Sequence, residues 1–343
     1  MNASANNVSH SASPIAVIGA GSWGTALAIL LAGNGYTTWL WGRDPVDVGK
    51  LQSDRCNKRF LPEIHFPDLL KPSHDLAGIL GQVHDVLIAV PSAGFRTTLS
   101  IIAPHLNKAS RLIWATKGMD PGTGKLLHEV VMETLGHDMA YAVISGPTFA
   151  HEVAAGLPTA ITVASNSASF ATDVAQRLHN NRFRAYTSDD IVGVEVGGAV
   201  KNVLAIAAGC ADGLGFGANT RAALVTRGLA EMMRFGVALG GQRETLIGLA
   251  GLGDLILTCT DDHSRNRRLG LALARGKSLA DALAQIGQVV EGAQTVREVM
   301  QLANRHGIEM PITEQVYQVL YEGLAPRDAV NALFARELKP EAN

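Results

Sequence analysis

The stretch Ile15-Ala-Val-Ile-Gly-Ala-Gly-Ser-Trp-Gly24 decides the fold of this chain. Its first four residues form a short apolar run, which is typical of a strand buried on both faces in a parallel sheet. Gly19, Gly21 and Gly24 then have the spacing G-x-G-x-x-G, and the apolar segment 26–32 that follows predicts a helix. This pattern between a strand and a helix predicts a dinucleotide-binding turn.

Each glycine of the turn has its own physical role in such a site. Gly19 permits the tight turn, Gly21 lets a pyrophosphate approach the backbone, and Gly24 allows the helix to pack closely on the strand. Free N–H groups at the start of the helix attract phosphate. The same residues could form a glycine-rich turn without a ligand, but the flanking strand and helix favour the cofactor site.

Apolar strand-like segments continue to alternate with helical spacers through the first half of the chain. After the break at residues 33–35, residues 37–41 complete a βαβ unit. Further buried strands are predicted at residues 85–90, 111–115, 141–144 and 160–164. This alternation predicts an α/β fold in which the N-terminal part is a Rossmann-type doubly wound sheet.

The second half has a different amino-acid composition, with long segments rich in Ala, Leu and Gly and few runs of β-branched residues. It predicts an all-helical C-terminal domain. We place a dinucleotide-binding domain at residues 14–189 and a helical substrate and catalytic domain at residues 190–335. Residues 1–13 lack a basic flank and an apolar stretch, so we expect a disordered tail rather than a signal peptide.

Composition narrows the class of protein. A chain of 343 residues, 47% of them hydrophobic, is long enough for two domains with sizeable cores. Its net charge of -2 gives no global attraction to nucleic acid or to an anionic membrane. The three cysteines are far apart and lack metal-ligand spacing, so we expect no metal site and a reducing, cytoplasmic location. The apolar run 196–211 is too short to span a bilayer and contains Lys201, so no membrane insertion is expected.

The end of the second predicted strand bears on the choice of cofactor. Many NAD-binding proteins place a carboxylate there for the ribose hydroxyls, but this chain has Arg43 followed by Asp44. A guanidinium can hold a 2′-phosphate through paired hydrogen bonds, which favours NADPH. Asp44 keeps NAD possible, and Arg43 could also be a solvated surface residue.

Lys201 and Asn202 interrupt an apolar helix in the second half. A buried ammonium is costly, so Lys201 must reach water, pair with a carboxylate, or serve chemistry with a lowered pKa. Reduction of a ketone by hydride needs a proton donor at the developing alkoxide, and such a lysine can provide it. From the residues alone, the structural and the catalytic interpretation are both open.

Two further segments follow predicted strands at the edge of the sheet where ligands bind in open α/β folds. Lys117 comes directly after strand 111–115 and would help to hold a phosphorylated or carbonyl substrate, or would simply be a surface lysine. Gly146 to Thr148 follow strand 141–144 and offer loop N–H groups and a hydroxyl. A Gly-Pro turn without a ligand explains this second segment equally well.

Acidic and basic residues near position 260 predict a second part of the substrate site, in addition to the segments at the edge of the sheet. Asp254 lies beside an apolar run, where it could cap a helix or pair with Lys201. Ser264 is typical of an N-cap, with Arg265 and Asn266 in the first helical turn. Bases are unfavourable beside the positive end of a helix unless an anion binds there, so this turn favours a phosphate ligand over a solvated basic surface.

Seven motifs, in order along the chain, resemble those of the bacterial-type NAD(P)-dependent glycerol-3-phosphate dehydrogenases. They are Gly19-Ala-Gly-Ser-Trp-Gly-Thr-Ala, Ala115-Thr-Lys-Gly, Ser145-Gly-Pro-Thr-Phe-Ala, Glu195-Val-Gly-Gly-Ala-Val-Lys-Asn, Gly251-Leu-Gly-Asp-Leu-Ile-Leu-Thr-Cys, Ser264-Arg-Asn and Val290-Glu-Gly. The resemblance runs from Ile15 to about Leu324. It implies interconversion of sn-glycerol 3-phosphate and dihydroxyacetone phosphate, a supply of glycerol phosphate for phospholipids, and a homodimer.

The resemblance also implies roles for individual residues. Lys201 would be the general acid/base, assisted by Lys117 and Asp254. The substrate would be held by these three together with Gly146, Thr148, Asn202, Ser264, Arg265 and Asn266. Cofactor contacts would come from Ser22, Trp23, Arg43, Lys117, Ala150, Arg265, Val289 and Glu291, in addition to the glycine turn. Of these, Ala150, Val289 and Glu291 rest on the resemblance alone, and Thr148 replaces a serine found in many relatives.

Two other functions fit parts of the sequence. Another two-domain dehydrogenase, acting on a 3-hydroxy acid, would also use a lysine on a helix, but the cluster Ser264-Arg265-Asn266 argues against it. A protein that binds a dinucleotide as a sensor, without turnover, would not need Lys201.

Overall fold

The computed structural model describes residues 13–337. Twelve of the thirteen residues of the predicted disordered tail lie outside this range. Residue 13 lies within it, and the Ser13 carbonyl accepts a hydrogen bond from Arg177 (2.8 Å).

Ten strands alternate with helices in the N-terminal half. The strands are β1 (Ile15–Ile18), β2 (Thr38–Trp41), β3 (Cys56–Asn57), β4 (Leu61–His65), β5 (Leu70–Ser73), β6 (Asp85–Ile88), β7 (Arg111–Trp114), β8 (Tyr141–Ser145), β9 (Thr159–Ser165) and β10 (Phe183–Ser188). The helices between them are α1 (Ser22–Gly33), α2 (Pro45–Asp54), α3 (Leu76–Leu80), α4 (Ser92–Ile102), α5 (Leu127–Leu135), α6 (Ala150–Ala154) and α7 (Ala168–Leu178), with a 3-10 turn at Ala103–His105.

The C-terminal half of the described chain consists of helices. They are α8 (Ile191–Gly213), α9 (Ala218–Ala238), α10 (Arg243–Leu246), α11 (Asp254–Thr260), α12 (Arg265–Ala274), α13 (Leu279–Ile286), α14 (Glu291–His306), α15 (Pro311–Tyr321) and α16 (Pro326–Phe334), with a π-helical turn at Leu249–Gly253 before α11. The prediction of a doubly wound sheet followed by helices is confirmed.

Eight strands form one sheet in the order β10-β9-β8-β7-β6-β1-β2-β5. All neighbours are parallel except β8 and β9. The central strands β1, β6 and β7 are buried along nearly their whole length, as their apolar sequences predict. Side chains of α1 and α7 cover one face of the sheet, and those of α4 and α5 cover the other.

Two strands of this sheet were not predicted from the sequence. β5 and β10 lie at its two edges, and their sequences, LKPS and FRAYTS, mix polar and apolar residues. An edge strand is partly solvated, so it lacks the continuous apolar run by which buried parallel strands are recognised. The antiparallel direction of β9 was not predicted either, because an apolar run does not carry strand direction.

Helix α8 is the centre of the helical half and is buried along most of its length. Within residues 13–337 it alone has the length and composition to cross a membrane, and 89% of its apolar window is buried inside the protein. Small residues bring α12 against it: a Cβ on Gly209 would lie 2.0 Å from the Arg267 carbonyl oxygen, and one on Gly270 would lie 2.0 Å from that of Ile206. This close crossing places the first turn of α12 beside the middle of α8, where Lys201 lies.

Candidate active site

The glycine-rich turn between β1 and α1 is shaped by close contacts. Gly19 has φ +119°, and a Cβ there would lie 2.7 Å from the Ala89 carbonyl oxygen. A Cβ on Gly24 would lie 1.9 Å from the Gly19 carbonyl oxygen. Gly21, in contrast, faces open space, because nothing lies within 4 Å of the position that its Cβ would take. Two glycines thus build the turn, and the third keeps its outer face clear.

This end of the cleft fits a dinucleotide. Gly21 is the N-cap of α1 and makes no side-chain cap, and α1 has no acidic residue in its first turn. A helix start of this kind attracts phosphate. The indole Nε1 of Trp23 is buried and has no hydrogen-bond partner within the described chain, which is an unusual state that a bound ligand would relieve.

A single cleft of about 1350 Å³ joins this turn to the helical half. It has room for a ligand larger than a typical drug-sized molecule. Most of the residues predicted for the site line it: Gly21, Ser22, Trp23, Lys117, Thr148, Ala150, Lys201, Asn202, Asp254, Ser264, Arg265, Asn266, Val289 and Glu291. Gly19 and Gly24 lie within the turn. Gly146 lies next to Lys117, and its carbonyl accepts a hydrogen bond from the Lys117 ammonium (3.0 Å).

Arg43 is the predicted residue that the structure leaves apart. It is exposed just beyond β2 and does not line the cleft. Asp44 is the N-cap of α2 and accepts hydrogen bonds from the backbone N–H groups of Val46 (2.8 Å) and Asp47 (3.3 Å). The Asp44 carboxylate therefore caps the N-terminus of α2.

Lys201, Lys117 and Asp254 meet on the floor of the cleft. The Lys201 ammonium lies 2.7 Å from Oδ1 of Asp254, and the Lys117 ammonium lies 2.6 Å from Oδ2. Lys201 also donates to the hydroxyl of Thr258 (2.8 Å), which in turn donates to the Asp254 carbonyl (2.6 Å). Of the two alternatives for Asp254, the ion pair is the observed one. Of those for Lys201, reaching water is excluded, since the residue is only 7% exposed.

The surroundings of Lys201 change its acidity. Burial lowers its pKa from 10.5 to about 8, Asp254 opposes this shift, and the second cation, Lys117, adds to it. A pKa close to the working pH suits a general acid that must also act as a base in reverse. The three side chains together carry one net positive charge in a buried position, which can stabilise a developing alkoxide.

Hydrogen bonds between two asparagine side chains link α8, which carries Lys201, to the first turns of α12 and α14. Asn266 donates from Nδ2 to Oδ1 of Asn202 (2.9 Å) and accepts from the backbone N–H of Gly292 (2.9 Å). Asn202 donates to the Gly198 carbonyl one turn earlier (3.2 Å). These bonds fix Asn202 and Asn266 beside the ion pair, where both line the cleft.

The first turn of α12 forms the far wall. Ser264 is its N-cap, as predicted, and accepts from the backbone N–H of Arg267 (3.2 Å). Burial lowers the pKa of the Arg265 guanidinium, partly offset by the charge of Glu291. Arg267 does not face the cleft but pairs with Asp212 at the end of α8 (2.7 Å). Arg265 lines the cleft beside Ser264 and Asn266, and Arg268 of the same turn also lines it.

Glu291 connects the two halves across the cleft. Its carboxylate accepts from the hydroxyl (2.7 Å) and the backbone N–H (3.4 Å) of Ser92, at the start of α4. Burial raises the pKa of this carboxyl, while Ser92 and Arg265 lower it. Val289, two residues earlier, is half exposed at the edge of the cleft.

Several cleft residues were missed from the sequence. Thr258 was given no role from the sequence, although its hydroxyl accepts a hydrogen bond from the Lys201 ammonium. The rings of His151 and His263, from the two halves, stack with their centroids 4.2 Å apart. Arg59 and Phe60, in the turn between β3 and β4, line the cleft near Trp23. No sequence signal marks these residues, because each is defined by what lies opposite it in space.

Comparison with known proteins agrees with this geometry. The family model for the N-terminus of NAD-dependent glycerol-3-phosphate dehydrogenase matches residues 14–171, and that for the C-terminus matches residues 190–331. The glycerol-3-phosphate dehydrogenase (NAD(P)+) of Nitrosococcus oceani is 63% identical over 325 residues, covering 95% of this chain and 94% of that protein. That of Shewanella halifaxensis is 54% identical over 330 residues, covering 96% and 97%.

Solved structures give the same result. The crystal structure of glycerol-3-phosphate dehydrogenase from Coxiella burnetii is 50% identical and superposes with a TM-score of 0.92, covering 95% of this chain and 99% of that one. A ketopantoate reductase from Ralstonia eutropha, at 16% identity and a TM-score of 0.58, shares the fold alone. The matched family models span both halves of the chain and every element of the cleft. The chain belongs to the NAD-dependent glycerol-3-phosphate dehydrogenase family.

Proposed function

We propose that this protein interconverts sn-glycerol 3-phosphate and dihydroxyacetone phosphate with NAD(P), and so supplies glycerol phosphate for phospholipid synthesis. The observation that carries the proposal is the pairing of Lys201 and Lys117 with one carboxylate of Asp254, in the cleft that also contains the glycine-rich turn. A buried acid, a net positive charge and a dinucleotide turn are the groups that reduction of a phosphorylated ketone needs.

The chemistry divides between cofactor and protein. Bound NAD(P)H supplies the hydride that reduces the C2 carbonyl. The Lys201 ammonium gives its proton to the C2 oxygen and becomes neutral, and in the oxidation direction the neutral amine takes the hydroxyl proton back. Asp254 and Thr258 hold the ammonium in place through hydrogen bonds of 2.7 and 2.8 Å.

The substrate phosphate is assigned to the first turn of α12. Ser264, Arg265 and Asn266 line the cleft there, at a helix start that carries basic residues but no acidic one. An anion at this position is stabilised by the helix dipole and by the Arg265 guanidinium. Lys117, Gly146, Thr148 and Asn202 are assigned to the rest of the substrate, between this turn and the sheet edge.

The two halves of the chain divide this work. Residues 14–189 are assigned to cofactor binding through the turn of Gly19, Gly21 and Gly24 and through Ser22, Trp23 and Ala150. Residues 190–335 supply the substrate and catalytic side chains, with Arg265, Val289 and Glu291 also reaching the cofactor. Arg43 is assigned to the 2′-phosphate, which makes NADPH the favoured cofactor. Since Arg43 is exposed outside the cleft, it would need to turn toward the ribose when NADPH binds.

A homodimer and a cytoplasmic location complete the proposal. The dimer rests on the family, and the location rests on the three widely spaced cysteines. Size-exclusion chromatography with light scattering tests the dimer directly. A mass near 36.2 kDa, that of one chain, would remove it.

The decisive test measures oxidation of NADPH and NADH by the purified protein with dihydroxyacetone phosphate. Parallel assays use unphosphorylated dihydroxyacetone and the variant Lys201→Ala. We expect turnover with the phosphorylated ketone only, and its loss in the variant. Folded protein that turns over neither cofactor would refute the proposed function and direct the search to hydroxy-acid substrates.

A further inference from the structure

The short hairpin of β3 and β4 is tied to the glycine-rich turn. Asn57, only 3% exposed, donates from Nδ2 to the Ala20 carbonyl (3.1 Å) and to the Thr25 hydroxyl (2.9 Å). Ala20 lies within the turn, and Thr25 lies in the first turns of α1. The hairpin is therefore held against the start of α1.

Arg55 secures the hairpin from its other side. It has a left-handed φ of 52°, and its guanidinium donates to the carbonyl oxygens of Leu70 (2.9 Å), Phe66 (3.2 Å) and Pro67 (2.8 Å). These bonds connect the hairpin to β5 at the edge of the sheet. With both sides fixed, the turn between β3 and β4 has a defined position over the cleft.

Arg59 lies in that turn and lines the cleft together with Gly21, Ser22 and Trp23. Its guanidinium carbon lies 5.2 Å from the centroid of the Phe60 ring. Within residues 13–337, no carboxylate forms an ion pair with it. The cleft therefore contains a positioned guanidinium without an anionic partner.

The neighbouring Lys58 is a natural contrast. Its ammonium pairs with Asp54 (3.0 Å), and the residue does not line the cleft. Two consecutive cations of one turn thus differ in environment, because one is neutralised on the outer surface and the other faces the cofactor end of the cleft.

We propose that Arg59 binds the pyrophosphate of the dinucleotide, an inference that rests on the proposed function of the cleft. Gly21, Ser22 and Trp23 line the same cleft and begin α1, where a dinucleotide pyrophosphate lies in this type of fold. Asn57, two residues before Arg59, is hydrogen-bonded to Ala20 of this turn. A planar guanidinium binds phosphate oxygens in pairs, and it adds a full charge to the partial charge of the helix start. The pyrophosphate is common to NADH and NADPH, so Arg59 should serve both.

The test compares dissociation constants of Arg59→Ala and Lys58→Ala, measured by calorimetry with NADH, NADPH and ADP-ribose. Arg59→Ala should weaken all three ligands by a similar factor, about tenfold or more, as expected for loss of a charge-assisted hydrogen bond. Lys58→Ala removes a cation from the same turn and should leave all three dissociation constants within about twofold of wild type, as is usual for an exposed ion pair. Arg59→Lys should keep part of the affinity, and 2′-AMP, which lacks a pyrophosphate, should bind wild type and Arg59→Ala equally.

The possible outcomes separate the inference from the proposed function. Unchanged affinities in Arg59→Ala would overturn the inference, and so would a loss confined to NADPH and 2′-AMP, which would assign Arg59 to the 2′-phosphate instead. Wild-type protein that binds neither dinucleotide would refute the proposed function itself. Because Arg59 is exposed, its replacement should leave the melting temperature unchanged, and this control shows that a lost affinity is not lost folding.

Discussion

The ammonium of Lys201 and the carboxylate of Asp254 lie 2.7 Å apart, at the point where α8 passes the start of α11. Asp254 is 1% exposed and also binds Lys117, so one buried carboxylate serves two cations. The group as a whole keeps one positive charge. This arrangement both orients the proposed acid and leaves charge available to an alkoxide, and its parts can be tested separately.

Replacement of Lys201 by Met should remove the proton donor while Asp254 remains paired with Lys117. We expect kcat for dihydroxyacetone phosphate reduction to fall by about 10²- to 10⁴-fold, the usual contribution of a positioned acid. The dissociation constant for NADPH should stay close to that of wild type, since Lys201 is assigned to the substrate and not to the cofactor. Stopped-flow kinetics and calorimetry measure the two quantities, and a kcat within threefold of wild type would rule out the acid role.

The pH dependence of the reaction should follow Lys201. With its ammonium as the proposed acid in reduction, kcat/KM for reduction should fall as pH rises through about 8, and kcat/KM for oxidation should rise over the same range. Asp254 raises the pKa of Lys201, so Asp254→Asn should lower it and move this limb to lower pH. Profiles of both proteins test the direction, and a limb that stays in place or moves to higher pH would contradict the assignment.

Replacement of Arg265 by Ala should act on the phosphate end of the substrate. Loss of a charged hydrogen bond of roughly 1.5–3 kcal/mol should raise KM for dihydroxyacetone phosphate by at least about tenfold. Arg275 is a matched control, because it is exposed at the far end of the same helix. Equal KM values in Arg265→Ala and Arg275→Ala would show that the phosphate binds elsewhere.

Replacement of Arg43 by Ala tests the choice of cofactor. If Arg43 turns toward the 2′-phosphate, kcat/KM with NADPH should fall by about tenfold or more while that with NADH stays nearly constant. Comparison of the two catalytic efficiencies in one preparation needs no further control. Equal losses, or no loss, would remove the role of Arg43 in cofactor choice.

A buried pair between the two halves should make stability depend on pH. His128 of α5 binds Glu195 of α8 through its backbone N–H (3.0 Å) and its Nδ1 (2.6 Å). Burial lowers the pKa of His128, but the hydrogen bond and charge of Glu195 outweigh it, so the pKa lies above 6.5. Because the pKa of His128 is raised in the folded state, the pair stabilises the fold fully below about pH 6.5. This stabilisation is lost as the pH rises through the folded-state pKa.

The variant His128→Gln should therefore be less stable than wild type at pH 5.5, by about 1–3 kcal/mol. The difference in the free energy of unfolding between the two proteins should narrow at higher pH, because wild type then also lacks the charged pair. Denaturant unfolding at several pH values measures it. A difference that is constant or grows with pH would show that the ion pair contributes nothing.

Much of the fold is visible in the sequence because burial imposes strong patterns. The central strands β1, β6 and β7 have to be apolar on both faces, and the turn after β1 requires glycine wherever a Cβ would meet backbone. The edge strands carry no such requirement, and the direction of β9 depends on its connection to β8 rather than on its residues.

The sequence by itself determined the class of fold and the glycine-rich turn, and through the family motifs it predicted the residues that the proposed chemistry needs. It left open whether Lys201 reaches water or pairs, and whether Asp254 caps a helix. Only the tertiary structure decided these points, because Lys201 and Asp254 are 53 residues apart and meet where two helices cross. The unpaired Arg59 at the cofactor end likewise emerges only when the hairpin is placed over the turn. Local patterns record which residues are buried, but the partner of a buried charge is set by packing between distant segments.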